Sequence, residues 1–267
     1  MSKPRDMPGR LAVIIPSFEA APTLGRVLER LAAVHPPADT WVIDDGSRDA
    51  TGEVARAAGV HVERHERNRG KGAGLLTGFR ATADYDAVAT LDADGQHKPE
   101  DLPRMVGALT RADLVVGARV RSAAMPPHRR LGNALSAAYL SWIAGTSLPD
   151  VQSGYRIHRT TVLRALGLQP SAAASGRPAP PGFRSTGYGF ESEILIAAAR
   201  LGFTLANVPI EAVYEGAPSH FDPLKELPRF GSLYARLLAD AGRWSAYRRV
   251  WAAAAEAAGA EAEAERA

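Results

Sequence analysis

Through the first half of the chain, short apolar runs alternate with amphipathic stretches of about ten residues. Residues 11–15 (LAVII), 41–43 (WVI), 60–64, 87–91 (AVATL) and 113–118 (DLVVGA) are strand-like, and most close in Pro, Asp or Gly. Between them, residues 22–34 place Leu24, Val27, Leu28 and Leu31 on one helical face. Residues 48–58, 73–83 and 100–109 also read as helices. Strand–helix alternation of this kind predicts an α/β fold with a mostly parallel sheet. Ligands of such sheets sit beyond the C-terminal ends of the strands. The polar clusters fall there, at residues 17–19, 44–47, 68–71 and 92–97.

The second half reads differently. Residues 129–144 are helical, and residues 150–156 (DVQSGYR) form a polar turn leading into an extended piece. Residues 171–185 (SAAASGRPAPPGFRS) have loop composition. Residues 190–201 are a helix, and 204–213 a strand whose Pro209 suits a sheet edge. In residues 224–245, Leu227, Phe230, Tyr234, Leu237, Leu238 and Ala241 share one helical face beside a stripe of Lys225, Arg229, Arg236 and Arg243. Two roles compete for that helix: docking on the domain, or lying in a membrane interface with its arginines at lipid headgroups. These breaks divide the chain into 1–215, an amphipathic segment at 216–251 and an Ala/Glu-rich tail at 252–267.

With 267 residues and 46% hydrophobic content, the chain can bury a substantial core. It has no cysteine, which excludes disulfides, thiol catalysis and cysteine zinc sites. The N-terminus is short and polar, arguing against a secretory signal. No run approaches the roughly 18 apolar residues of a membrane span. The net charge is only +3, yet the pI is about 9.3. A local basic face could meet phosphates or anionic lipid. Nucleic acid is not an expected partner, because no basic helix-turn-helix or aromatic-stacking motif is present.

The candidate chemistry centres on residues 90–99, TLDADGQHKP. A buried strand delivers Asp92, Asp94 and Gln96 to one end, and alternate residues point the same way. Hard oxygen ligands of this kind suit Mg²⁺ or Mn²⁺ shared with substrate phosphates, or the acids merely cap a turn. His97 is left outside that set, since a hard cation with phosphates has no need of imidazole. The octet at 44–51 (DDGSRDAT) could offer one carboxylate to a nucleobase and another to a ribose, or its Asp and Ser could cap a strand–turn–helix, and the ligand reading is the one favoured. Residues 68–72 (NRGKG) could cradle phosphate through backbone N–H groups and Lys71, although they are not a Walker loop. Arg119, Arg121, Arg129 and Arg130 offer guanidinium forks to phosphate. Asp150 and Gln152-Ser153-Gly154 could meet an acceptor. Glu191 and Glu193 are read as partners of a helix dipole.

Taken in order, the segments VIIPSF, VIDDGSRDAT, RNRGKGAG, TLDADGQHKPEDL, VVGAR, RRLGN, DVQSGYR, GYGFESEIL and SHF resemble a family 2 glycosyltransferase of the GT-A fold. The likeness spans roughly residues 11–226 and is nearest the dolichol/polyprenyl-phosphate sugar synthase branch. The resemblance implies a Rossmann-like sheet flanked by helices and transfer from a nucleotide-diphosphate sugar, of GDP-mannose or UDP-glucose type, to polyprenyl phosphate. It implies nucleotide contacts from Pro16, Ser17, Glu19, Asp44, Asp45, Lys71 and Asp92, and a divalent ion on Asp92, Asp94 and Gln96. Catalytic roles fall to Asp94 and Asp150. Arg119, Arg129, Arg130, Gln152 and Ser153 would border the acceptor phosphate. The alternatives are a soluble relative with a hydroxyl acceptor and a nucleotide-binding protein without catalysis. Many relatives carry C-terminal membrane spans, which this sequence lacks. The expected location is therefore cytoplasmic, peripheral on the inner face of the membrane through residues 224–245. The family pattern P-x-Y-N-E reads Pro16-Ser17-Phe18-Glu19-Ala20 here, a departure that bears on nucleotide identity.

Overall fold

The computed structural model describes residues 5–34, 38–120, 127–170 and 189–211, with scattered positions in 182–187 and 231–253; for 127–133 it gives the backbone alone. Seven strands form one sheet: β1 (Leu11–Ser17), β2 (Asp39–Asp44), β3 (His61–Arg64), β4 (Ala87–Thr90), β5 (Leu114–Arg119), β6 (Arg156–Arg159) and β7 (Leu205–Ile210). The helices are α1 (Ala21–Ala32), α2 (Thr51–Ala57), α3 (Lys71–Ala81), α4 (Leu102–Ala108), α5 (Pro127–Ala144), α6 (Thr160–Ala165) and α7 (Gly189–Leu201). The α/β architecture expected from the alternating pattern is present.

The spatial order is β3-β2-β1-β4-β6-β5-β7. All pairings are parallel except those of β6, which runs antiparallel to both β4 and β5. Two consequences place the site. First, the chain winds outward from β1 to β2 and β3, then crosses to β4 on the other side. The strand order therefore reverses between β1 and β4, where a crevice opens beyond the strand ends. Second, because β6 is reversed, its first residue, Arg156, pairs with Thr90 and Val116 at that same end. The turn at 150–155 thus reaches the crevice holding Asp92. The sequence pattern gave this piece as merely extended, since a four-residue strand that begins and ends in arginine carries little periodicity.

The strands are apolar on both faces because helices cover both. Ile14 of β1 packs with Phe79, Leu140, Ile194 and Leu195 on one side. Val13 and Ile15 pack with Leu24, Leu28, Met105 and Leu109 on the other. Pro209 does lie in an edge strand, β7, at one end of the sheet. At the opposite edge β3 is short and exposes His61, Glu63 and Arg64, a composition that discourages further strand addition.

The 224–245 helix falls largely outside the described residues. Those described within it settle part of its role. Leu237 is buried in the core, and Tyr234 is half-buried against it. Arg236 donates to the buried carboxylate of Glu193 on α7, and to Ser185 Oγ. This much of the helix docks on the domain.

Candidate active site

The octet after β2 is spent largely on tying loops together. Asp44 Oδ1 accepts the Ser47 N–H at 2.9 Å and closes the turn. Ser47 Oγ accepts the N–H of Glu19 at 3.0 Å, and Thr51 Oγ1 that of Ala20 at 2.8 Å. Asp49 accepts the Ala21 N–H at 3.1 Å, so α1 takes its N-terminal acceptor from a neighbouring loop. Glu19 adopts a positive φ of 50° and accepts the Arg48 N–H at 2.8 Å. Glu19, one of the residues at which the chain departs from the P-x-Y-N-E pattern, therefore braces the octet from the β1 side.

Asp45 is buried and organises the glycine loop. It accepts the N–H groups of Arg69 at 2.9 Å and Gly70 at 2.8 Å, and meets His65 Nδ1 at 2.6 Å. His65 Nε2 lies 2.9 Å from Thr77 Oγ1. Gly46 is required where this loop crosses: its φ is +76°, and an added Cβ would lie 2.5 Å from the Arg67 backbone. Asp44 is also fully buried, with Oδ2 3.4 Å from Arg64 Nε and no hydrogen-bond donor among the described residues. Ser17 is buried and donates to the Ile15 carbonyl. Pro16, Ser17, Glu19, Asp44 and Asp45 thus gather at the ends of β1 and β2, mostly as supports.

At the crevice between β1 and β4 stands Asp92. Lys71, the first residue of α3, sits 2.6 Å from Asp92 Oδ1 and 2.9 Å from Glu191 Oε2. His97 Nε2 is 3.6 Å from Asp92 Oδ2. Burial alone would lower the pKa of Lys71, but the charges of Asp92 and Glu191 outweigh it and hold the ammonium above its ordinary range. Burial would likewise raise Asp92, but Lys71 and then His97 keep it well below the carboxylate range. Asp94 moves the other way, raised first by burial and then by the charge of Asp92. The turn carrying both acids is pinned by Thr23 Oγ1 to the Ala93 carbonyl at 2.7 Å, and by Asp94 Oδ1 accepting the Gln96 N–H at 2.9 Å.

The residues expected on the acceptor side come from β5 and the turn before β6. Arg119 grips Asp150 with two prongs, Nε to Oδ2 at 2.7 Å and NH2 to Oδ1 at 3.0 Å. Its backbone N–H adds a third bond at 3.1 Å. Burial would raise Asp150, but the Arg119 bonds and charge lower it below the ordinary value. The Gln152 N–H also points to Asp150 Oδ1. Ser153 is fully buried, its Oγ facing the Tyr155 N–H, so it shapes the turn rather than lining an open surface. Arg129 and Arg130 lie in the first turn of α5, but their side chains and all of Arg121 are outside the described residues.

Glu191 does more than balance a helix dipole: it enters the Lys71–Asp92 cluster. The pattern also left His97 apart from Asp92, whereas the fold places it alongside. The sequence pattern places Gly154 only at the border of an acceptor and gives Arg156 no role, yet Gly154 closes on Asp92 and Arg156 joins the 151–153 turn to α7. The signal for Glu191 was present in the GYGFESEIL segment but is indistinguishable, by spacing alone, from ordinary N-terminal acids.

The glycosyl transferase family 2 model matches residues 12–167. The chain belongs to that family. Among curated relatives it is 33% identical to an undecaprenyl-phosphate mannosyltransferase of Micrococcus luteus, over 88% of this chain and 93% of the relative. It is 31% identical to the polyprenol monophosphomannose synthase of Mycolicibacterium smegmatis, over 75% and 76%. Among solved structures, glucosyl-3-phosphoglycerate synthase of Mycobacterium tuberculosis, crystallised with Mn²⁺, UDP and glucosyl-3-phosphoglycerate, superposes with a TM-score of 0.62. That match covers 89% of this chain and 80% of the synthase at 21% identity, and supports the GT-A fold. The protein is thus a glycosyltransferase with a Rossmann-like, mostly parallel sheet.

The donor set of this transferase fits a divalent ion. Asp92 and Asp94 stand close enough for one charge to raise the other's pKa, an arrangement that a cation relieves. Among the described residues no three His, Cys, Asp or Glu side chains converge on one metal position. Mg²⁺ commonly uses one or two carboxylates and completes its shell from substrate phosphates and water. Asp92, Asp94 and Gln96 are the residues that would hold it.

Proposed function

We propose that this transferase moves a sugar from a nucleotide-diphosphate donor, of GDP-mannose or UDP-glucose type, to polyprenyl phosphate with inversion, using Mg²⁺ or Mn²⁺. The observation that carries this reading is the Arg119–Asp150 pair. A hydroxyl acceptor needs a base, ideally one with a pKa near the working pH. Asp150 is the carboxylate on the acceptor side, and Arg119 has made it more acidic than usual. A phosphate monoester has a second pKa near 6, so it is mostly dianionic at neutral pH and needs no base. Asp150 then orients Arg119 by gripping its fork, and the guanidinium so held would supply positive charge beside the acceptor anion. A divalent ion at Asp92 and Asp94 supplies charge neutralisation of the departing diphosphate. Asp94 helps hold that position, and Lys71 adds a cation beside it. The names of the curated relatives support the lipid-phosphate acceptor.

The test is a donor panel with polyprenyl phosphate and Mg²⁺ or Mn²⁺, read as lipid-linked sugar. Asp150→Asn is expected to cost about tenfold, mainly in acceptor KM, the scale of one charge-assisted hydrogen bond. The expected rate at subsaturating acceptor rises with pH through about 6, as the dianion forms, and is level above it. The Asn variant should keep that profile. A loss of 1,000-fold or more, with the profile abolished, would assign Asp150 as a base and favour the hydroxyl acceptor (~10³ being typical of general-base removal).

We also place the membrane contact on α5 together with the C-terminal helix. Among the described residues no helix is long and apolar enough to cross a membrane. On α5, however, Leu135 and Trp142, one heptad apart, are 62% and 66% exposed. The Tyr139 ring between them lies 6.0 Å from that of Trp142 and 5.5 Å from that of Tyr234. Leu238, one turn beyond Tyr234, is also exposed. Trp favours the headgroup boundary. Replacing Leu135 and Trp142 with Ser is expected to weaken flotation with anionic vesicles at least ~30-fold, from about 1.5–3 kcal/mol per buried large side chain. Turnover of a short-chain, water-soluble acceptor should persist. Unchanged flotation would move the contact elsewhere.

A further inference from the structure

The ammonium of Lys71 stands 2.6 Å from Oδ1 of Asp92, the carboxylate assigned above to the divalent ion. A half-buried carboxylate oxygen that already holds an ammonium at that distance is a poor site for a dication as well, because the two cations repel. Arrival of the ion at Oδ1 therefore favours departure of the ammonium. Glu191 supplies the place to go. Its Oε2 already holds Lys71 at 2.9 Å, and Oε1 is buried without a hydrogen-bond partner among the described residues. Glu191 is the first acidic residue of α7, and its backbone carbonyl accepts a bond from the buried Arg156. It is therefore fixed to the scaffold independently of Lys71.

We propose that Lys71 and the divalent ion are exchange partners at Asp92, and that Glu191 is the positioning residue that keeps the ammonium in the cleft when Asp92 is given up. This deepens the reading of Asp92 as the ion's ligand and rests on it. In the donor-free protein the internal ammonium occupies the position and the ion binds weakly. A nucleoside diphosphate brings oxygens for the ion and negative charge for Lys71, so ion and donor enter together. Glu191 lowers the cost of exchange, because Lys71 retains a buried carboxylate throughout.

The experiment measures Mn²⁺ binding to the full-length protein by electron paramagnetic resonance of the free ion, first without nucleotide and then with GDP or UDP. Lys71→Met is expected to bind Mn²⁺ alone at least tenfold more tightly than the unmodified protein, while losing most of the further tightening that nucleotide confers. Glu191→Gln is expected to bind Mn²⁺ alone severalfold more weakly. The double variant, which loses one charge of each sign and so guards against an unpaired buried carboxylate, should bind as tightly as Lys71→Met. A purely structural Glu191 would instead leave the double variant weak. Equal Mn²⁺ affinity in Lys71→Met and the unmodified protein, with both folded, would overturn the exchange. Asp92→Asn separates the two claims. If it abolishes Mn²⁺ binding while Lys71→Met changes nothing, only the exchange fails. If it leaves Mn²⁺ binding intact, the ion's assignment to Asp92 fails as well.

Discussion

Gly154→Ala is expected to cut sugar transfer at least ~100-fold, comparable with Asp92→Ala, while the protein stays folded. A Cβ at position 154 would lie 2.3 Å from Asp92 Oδ2 and 2.6 Å from both Cγ and Oδ1. No real side chain tolerates such an approach, so something must move. The glycine backbone is poorly placed to do so: Thr90 Oγ1 donates to its carbonyl at 2.8 Å, and the next carbonyl, of Tyr155, takes the Gly117 N–H at 2.8 Å. Asp92 is the freer partner, and swinging its carboxylate away breaks the contact with Lys71 and displaces the ligand expected to hold the ion. Misplacing a reacting group by about 1 Å costs on the order of 10²-fold. Overpacking of this kind costs about 1–3 kcal/mol of stability, which a domain of this size survives. Initial rates and circular dichroism on the same preparation check both halves. A variant retaining a third of the activity would show that Asp92 has room the geometry denies it.

That contact also shows where a sequence stops being readable. The strands β1, β2, β4 and β5 were legible because each is a short apolar run closed by polar residues, and burial on both faces leaves no other use for such a run. Asp92 was legible for the same reason, as the first acid after a buried strand. Gly154 was visible as a motif glycine but not as a neighbour of Asp92, because that approach depends on the antiparallel run of β6. Glu191 was hidden by a competing explanation, since acids at helix N-termini are favoured wherever the helix points. The octet shows the opposite case. Its pattern pointed to ligand contacts, yet Ser47, Asp49 and Thr51 are occupied with the β1–α1 loop and Asp45 with the glycine loop. A strict motif can reflect demanding loop geometry as well as a bound substrate. Glu19 makes the same point locally: its carboxylate meets the Arg48 N–H, so a residue unusual for the family still has a structural partner.

Arg156→Met is expected to lower the melting temperature by about 10 °C and to abolish transfer. Arg156 is among the largest fully buried side chains in the protein. Its Nε donates to the Ser153 carbonyl at 2.8 Å, one NH2 to the Val151 carbonyl at 2.8 Å, and NH1 to the Glu191 carbonyl. Burial lowers its pKa, and the charges of Glu191, Asp150 and Asp92 oppose that effect. One guanidinium therefore joins the 151–153 turn to the start of α7 and supplies positive charge beneath three acids. Methionine fills much of the volume but leaves three carbonyls without this donor, and each unsatisfied buried group costs about 1–3 kcal/mol. A total of about 3–5 kcal/mol is in the range for breaking a buried charged network. For a chain of this size each kcal/mol shifts the midpoint by about 2–4 °C. Lysine keeps the charge but lacks the planar fork that reaches three carbonyls in different directions. Arg156→Lys should therefore recover part of the stability and little of the activity. If methionine left the midpoint within about 2 °C, the three carbonyls would have to be finding water. The turn at 151–153 would then be held by the Arg119–Asp150 pair and the β6 register instead.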